Sequence, residues 1–228
     1  MKIYGFEKLS MVDFEGHLCA TVFTGGCNFR CPFCQNADLV NVTNLEQYNE
    51  DEIFAHLEKR KNVLDSVCIS GGEPTLNPDL KNFIQKLKQR GLLVKLDTNG
   101  TKPDLLKELI DEGLIDYVAM DVKNSPALYP KTAGAIVNMD DVGKSVELLK
   151  SNVVPYEFRT TLVSGHHSNE SIEEMGKWLD GAGKIYLQCF VDSGNCLQQG
   201  LQKVPKDRAL IFKTILQKYI KQVELRGY

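Results

Sequence analysis

Three cysteines stand close together in Cys27-Asn28-Phe29-Arg30-Cys31-Pro32-Phe33-Cys34, spaced C-x3-C-x2-C, with Gly25-Gly26 ahead of them and Gln35-Asn36 behind. Thiolates in so compact a loop suit metal, and three of them are one short of the closed set of a structural zinc site or an electron-transfer cluster. The spacing therefore suggests an iron-sulfur cube with one iron left open for chemistry. The alternative is a zinc or ferredoxin-like site whose fourth ligand lies elsewhere, with Cys19, Cys68, Cys189, Cys196 and the four histidines as possible donors. Further along, Gly71 and Gly72 remove side chains where backbone must approach a ligand, and Glu73 offers a carboxylate to an ammonium. Asp121 and Lys123 alternate to one side of a strand, and Arg159 interrupts an apolar strand where an unpaired charge is costly. Each has a structural alternative: a turn before a helix for Gly-Gly-Glu, mutual pairing for Asp121 and Lys123, and a buried salt bridge to Asp121 or Glu157 for Arg159.

Composition limits the setting. A chain of 228 residues supports one sizeable core, and no linker divides it, so residues 1–228 read as a single domain. The net charge of −3, without a basic run, gives no sign of a nucleic-acid partner. No apolar run approaches the about 20 residues that span a membrane. The N-terminus lacks a signal-peptide core, and seven cysteines, an odd number, fit metal binding in a reducing compartment better than a disulfide framework. The cytoplasm is the location expected.

The elements that must hold these residues alternate. Residues 1–17 read as an N-terminal extension or hairpin. Apolar runs at 18–23, 63–69, 92–96, 114–120, 156–163 and 184–190 read as six strands. Helices intervene: one capped by Asn49, one opened by Asn77-Pro78 with Leu80, Phe83, Ile84 and Leu87 on one face, one opened by Pro103, and two more over 140–150 and 168–179. A final helix is expected within 204–228, with Phe212, Leu216, Tyr219 and Val223 in a stripe. Such alternation implies a parallel sheet with right-handed crossovers, either an open partial barrel or a doubly wound sheet. In both, function gathers where strands end, and that is where the cysteines, Gly-Gly-Glu, Asp-Thr-Asn-Gly and Asp-Val-Lys fall. His166 and His167 read as solvated loop residues, Cys19 and Cys68 as small core side chains.

The cysteine motif, with Phe33 as its aromatic, resembles the signature of the radical S-adenosylmethionine superfamily, and Ser70-Gly71-Gly72-Glu73-Pro74 resembles that family's second motif. The resemblance implies an α/β fold of partial (β/α)6 TIM-barrel type. It implies a [4Fe-4S] cluster on Cys27, Cys31 and Cys34, with S-adenosylmethionine chelating the fourth iron. Phe33 would meet the adenine, and Gly71, Gly72 and Glu73 the methionine amino group. Asp97, Thr98 and Asn99 would serve ribose hydroxyls, a carboxylate or a small bridging cation. Asp121, Lys123, Arg159 and Gln188 complete the implied cofactor contacts.

Within the superfamily, Tyr4-Gly5-Phe6-Glu7-Lys8-Leu9-Ser10, Asp13-Phe14-Glu15-Gly16 and Thr24 to Asn36 resemble the activating proteins of anaerobic ribonucleoside-triphosphate reductase, a branch of the glycyl-radical-enzyme activases. The histidine that pyruvate formate-lyase activases carry after the last strand is absent, with Val191 about there, and no inserted ferredoxin-like cysteine cluster occurs. This resemblance implies reductive cleavage of S-adenosylmethionine to a 5′-deoxyadenosyl radical, which takes a hydrogen from a glycine of the reductase. It also implies an external one-electron donor such as flavodoxin or ferredoxin. Two other functions remain open: a radical enzyme acting on a small molecule, like the carboxy-deazaguanine synthases, and a non-catalytic iron-sulfur or zinc module.

Overall fold

A computed structural model describes residues 1–42, 45–192 and 194–228. One eight-stranded sheet runs in sequence order: β1 (Ile3–Ser10), β2 (Cys19–Thr24), β3 (Ser66–Gly71), β4 (Leu93–Thr98), β5 (Tyr117–Asp121), β6 (Tyr156–Leu162), β7 (Lys184–Cys189) and β8 (Gln222–Arg226). Neighbours from β2 to β8 pair parallel, and β1 pairs antiparallel with β2. The six expected strands are β2 to β7, each followed by helix. These helices are α1 (Ala37–Asn41), α2 (Glu50–Lys59), α3 (Leu80–Lys88), α4 (Pro103–Asp111), α5 (Tyr129–Ala133), α6 (Met139–Lys150), α7 (Asn169–Trp178) and α8 (Lys206–Leu216). The sheet ends in two edges, β1 and β8, so the molecule is an α/β partial barrel. No helix among the described residues is long and apolar enough to cross a membrane.

Local chemistry explains most boundaries. Asn49 Oδ1 accepts the Asp51 amide at 2.9 Å at the start of α2, and Ser168 and Ser171 form a reciprocal capping box on α7. Pro103 opens α4, where its missing N–H costs nothing. Asn77-Pro78 does not open α3, which starts at Leu80 after Asp79. A single 3-10 turn, Pro74–Leu76, comes first, and Asn77 closes it. The C-terminal segment is also corrected. Helix α8 stops at Leu216, and Lys221 and Gln222 donate their amides to Ala182 and Gly183 at 3.1 and 3.0 Å, so the chain ends as strand β8 with Val223 in the sheet.

The strands divide their side chains sharply between two faces. Val94 and Leu96, Val118 and Met120, Phe158 and Leu162, and Ile185 and Leu187 face the helices and join Phe83, Leu106, Val146 and Phe212 in the main core. Fully burying each such side chain contributes about 1.5 to 3 kcal/mol. The alternate positions face the barrel interior, and they are largely polar: Thr21, Lys95, Asp97, Asp121, Glu157, Arg159, Thr161, Tyr186 and Gln188. A small separate cluster of Phe14, Cys19 and Cys68 fills the interior at its floor. There the loop after β1 is held across the barrel. Thr21 Oγ1 donates to Asp13 Oδ2 at 2.6 Å, and Tyr186 OH to Glu15 Oε2 at 3.1 Å.

Candidate functional site

The loops after β2, β3, β4 and β5, with the ends of β6 and β7, enclose a cavity of about 240 Å³. Cys27, Cys31, Cys34, Phe33, Gly71, Gly72, Glu73, Asp97, Thr98, Asn99, Asp121, Lys123, Arg159 and Gln188 all line it. Arg159 points in from the middle of β6, and the others lie at or beyond the carboxyl ends of their strands, where parallel strands deliver their loops to one rim.

Two glycines bring the first two loops together. Gly71 has φ +117, a region L side chains rarely adopt, and a Cβ there would meet Thr24 N and O at 2.4 Å. A Cβ on Gly72 would meet Gly26 O at 2.1 Å, and that oxygen accepts the Glu73 amide at 2.8 Å. The cysteine loop is fastened elsewhere too. Arg30 N donates to Ala133 O at 2.8 Å, Gln198 N to Pro32 O at 2.9 Å, and Gln35 Nε2 to Val191 O at 2.8 Å. The Arg30 guanidinium folds back on its own loop, donating to the Cys27 and Phe29 carbonyls.

Burial raises the Cys27 thiol to about 11 and pushes Cys31 and Cys34 up as well, with Lys123 pulling all three the other way. Thiols so placed need a nearby cation to ionise, which metal supplies. Among the described residues no three His, Cys, Asp or Glu side chains gather around one point as a single ion requires. A cube takes one thiolate per iron and does not ask for such convergence, so the donor set fits a cluster. Phe33 is 5% exposed, its ring edge-on to His166 at 5.8 Å.

Glu73 is 1% exposed and heavily bonded. Its Oε1 accepts from Thr75 N at 3.1 Å, from Thr75 Oγ1 and from Thr98 Oγ1 at 2.8 Å, while Oε2 accepts the Asn99 amide at 2.6 Å. Burial raises its pKa despite these donors. Oε2 alone retains acceptor capacity on the scale of a further hydrogen bond.

Arg159 finds two partners: Nε reaches Asp121 Oδ1 at 2.9 Å, and Nη1 reaches Asp97 Oδ2 at 3.1 Å. Glu157 pairs instead with Arg226 at 3.3 Å. Lys123, two residues past the end of β5, places Nζ 3.0 Å from Asp121 Oδ2. Burial works against both aspartates, yet Arg159 with Lys95 holds Asp97 below the usual carboxylate range, and Arg159 with Lys123 brings Asp121 to about 2.

The sequence reading overlooked several residues here. Ser70 donates to Asp97 Oδ2 at 2.9 Å, and Thr161, Gln35 and Asn36 also line the cavity. Period-two counting back from Asp97 and forward from Arg159 would have found Lys95 and Thr161. His167 is not solvated. At 8% exposure it donates from Nε2 to Lys123 O at 3.0 Å and accepts the Val163 amide on Nδ1 at 3.2 Å, tying the β5 loop to β6. Burial lowers its pKa to about 4.

The chain is similar to known proteins in sequence and in fold. The family model of the radical SAM superfamily matches residues 21–179. A relative from Methanocaldococcus jannaschii bearing the name of a glycyl-radical enzyme activating enzyme is 32% identical over 98% of this chain and 95% of its own. A pyruvate formate-lyase-activating enzyme of Staphylococcus aureus is 33% identical over 80% of this chain and 77% of its own. The solved structure of QueE from Escherichia coli superposes with a TM-score of 0.57 at 14% identity, covering 100% of this chain and 94% of that one, and so shares its fold. By motif, fold and end-to-end similarity, the chain belongs to the radical SAM superfamily and, within it, to the glycyl-radical-enzyme activating enzymes, which use a [4Fe-4S] cluster and S-adenosylmethionine.

Proposed function

We propose that this protein activates an anaerobic ribonucleoside-triphosphate reductase by removing a hydrogen atom from one of its glycine residues. The observation that carries the reading is the junction of the two stretches most like those activases. Tyr4 of β1 packs so closely on Gly25, at the head of the cysteine loop, that a Cβ at Gly25 would meet its ring at 2.5 Å. The N-terminal run thus backs the head of the cysteine loop, behind the residues that line the cavity.

When bound, the cluster and S-adenosylmethionine supply a one-electron reductive cleavage that provides the hydrogen-abstracting radical. Cys27, Cys31 and Cys34, which all line the cavity, would hold the cluster. Gly71, Gly72 and the free capacity of Glu73 Oε2 receive the methionine ammonium, and Phe33 adjoins the adenine. Asp97, Thr98, Asn99, Asp121, Lys123 and Gln188 take the sugar and the remaining polar groups. Arg159 and Lys123, the two cations that line the cavity, suit the methionine carboxylate, while Lys95 faces Asp97 from below. An external carrier such as flavodoxin or ferredoxin delivers the electron, in the cytoplasm.

A second reading, activation of pyruvate formate-lyase, is favoured by the Staphylococcus aureus relative. Mixing the reduced, cluster-loaded protein and S-adenosylmethionine with each glycyl-radical enzyme of the same organism decides between them. A persistent glycine-centred doublet in electron paramagnetic resonance is expected with the anaerobic reductase. A doublet with pyruvate formate-lyase alone would transfer the assignment. Turnover of a small metabolite with no radical on either protein would overturn both.

A further inference from the structure

Lys95 is a charged side chain in the middle of β4, 6% exposed, and it lies beneath the rim cavity rather than in its wall. It lines a second cavity of about 150 Å³ at the barrel floor with Asp13, Phe14, Tyr117 and Glu157. Its ammonium donates to the Asp13 carbonyl and lies 3.2 Å from Asp97 Oδ1. The two oxygens of Asp97 are treated differently. Oδ2 accepts from Ser70 and Arg159, whereas the buried Oδ1 takes no hydrogen bond and has the Lys95 charge facing it. An ammonium this deep is costly to bury unless it is paired, so its contacts define what it does. One contact reaches the floor loop and the other reaches the rim.

We propose that Lys95 is a positioning residue for the cofactor site: its charge fixes the Asp97 carboxylate from below and, through Asp97, sets the Arg159 guanidinium. The inference rests on the reading of Asp97 as a contact of S-adenosylmethionine. Charges alternate along the interior as Lys95, Asp97, Arg159, Asp121 and Lys123, with successive contacts of 3.2, 3.1, 2.9 and 3.0 Å. With Lys95 neutral, Asp97 Oδ1 faces no charge, and the carboxylate is free to turn about its own bond to satisfy that oxygen. Arg159 then loses the fixed partner on one side of its fork.

The alternative, that Lys95 only anchors the floor loop, predicts different behaviour. Lys95→Gln keeps a donor for the Asp13 carbonyl but removes the charge, and Thr21→Val loosens Asp13 without touching Asp97. Affinity for S-adenosylmethionine is read on the cluster-loaded protein from the cofactor-induced change in the resonance spectrum of the reduced cluster. Lys95→Met and Lys95→Gln should each weaken binding by about tenfold, the scale of one charge-assisted contact, with the iron content unchanged. Lys95→Arg should recover most of the loss, and Thr21→Val should bind as the parent does. In an Asp97→Asn background, Lys95→Gln should add nothing further. Parent-like binding by Lys95→Gln alongside weak binding by Asp97→Asn overturns the role of Lys95. Parent-like binding by Asp97→Asn overturns the reading of Asp97 on which that role depends. If Lys95→Met does not fold, Lys95→Gln and Lys95→Arg carry the test.

Discussion

Thr98 Oγ1 donates to Glu73 Oε1 across 2.8 Å, which fastens the end of β4 to the loop after β3 by way of a buried carboxylate. Removing that carboxylate leaves the Thr75, Thr98 and Asn99 donors without their acceptor in a closed space. Glu73→Ala should therefore destabilise the protein by about 2 to 3 kcal/mol in urea unfolding as well as weaken cofactor binding. Glu73→Gln, which keeps one acceptor oxygen, should lose less. Equal stability of the parent and Glu73→Ala would show that the carboxylate serves the ligand alone.

Cys31→Ala should abolish the cluster, whereas Cys19→Ala, in the buried floor group with Phe14 and Cys68, should retain it. Anaerobic reconstitution followed by iron and sulfide analysis checks this, with about four of each per chain expected for the parent. A full, cofactor-responsive cluster in Cys31→Ala would reject the ligand set.

The contact between Gly72 and Gly26 sets a steric test. A methyl group at 72 must displace the Gly26 carbonyl, and with it the start of the cysteine loop. Gly72→Ala should lower affinity for S-adenosylmethionine at least about tenfold, because that displacement separates two loops that flank the cofactor. Calorimetry on the loaded protein measures it.

Arg159→Met would leave Asp97 and Asp121 without the cation they share. A loss of about 3 to 5 kcal/mol of unfolding free energy is expected, as for other broken buried pairs. Arg159→Lys should lose less, although an ammonium cannot reproduce a fork that reaches two carboxylates at once.

His167 gives a pH dependence of known sign. Its folded-state pKa, about 4, lies below the ordinary 6.5, so the unfolded chain takes up its proton first. The stability this residue contributes is complete above pH 6.5 and falls as the pH drops toward 4. The loss across that window is on the order of 3 kcal/mol. Unfolding measured from pH 7 to 4.5 should show a slope that His167→Gln flattens.

The six inner strands were legible because each is a short apolar run, and the first four end in polar motifs that needed only the parallel topology to converge on one rim. The misread parts have local causes. The stripe of Phe212, Leu216, Tyr219 and Val223 continues at helical spacing past Leu216, but pairing with the residues around β7 captures the last part of it. That competitor is distant in sequence, and no window along the chain contains it. His167, a loop residue, reads as solvated because its partners, the Lys123 carbonyl and the Val163 amide, are backbone groups that composition does not reveal. Arg159 was placed correctly as a buried charge, while its second partner, Asp97, lies two strands away and emerged only from the register of the sheet.

The sheet's two faces carry separate duties. Apolar packing that holds the molecule together lies on the convex side against the helices, while the concave side is lined with charges and hydroxyls. Substitutions inside the barrel therefore alter what is held there while leaving the helix-facing core in place. A lineage built on this plan has room to exchange one radical substrate for another by rewriting interior positions, and its scaffold need not be reinvented each time.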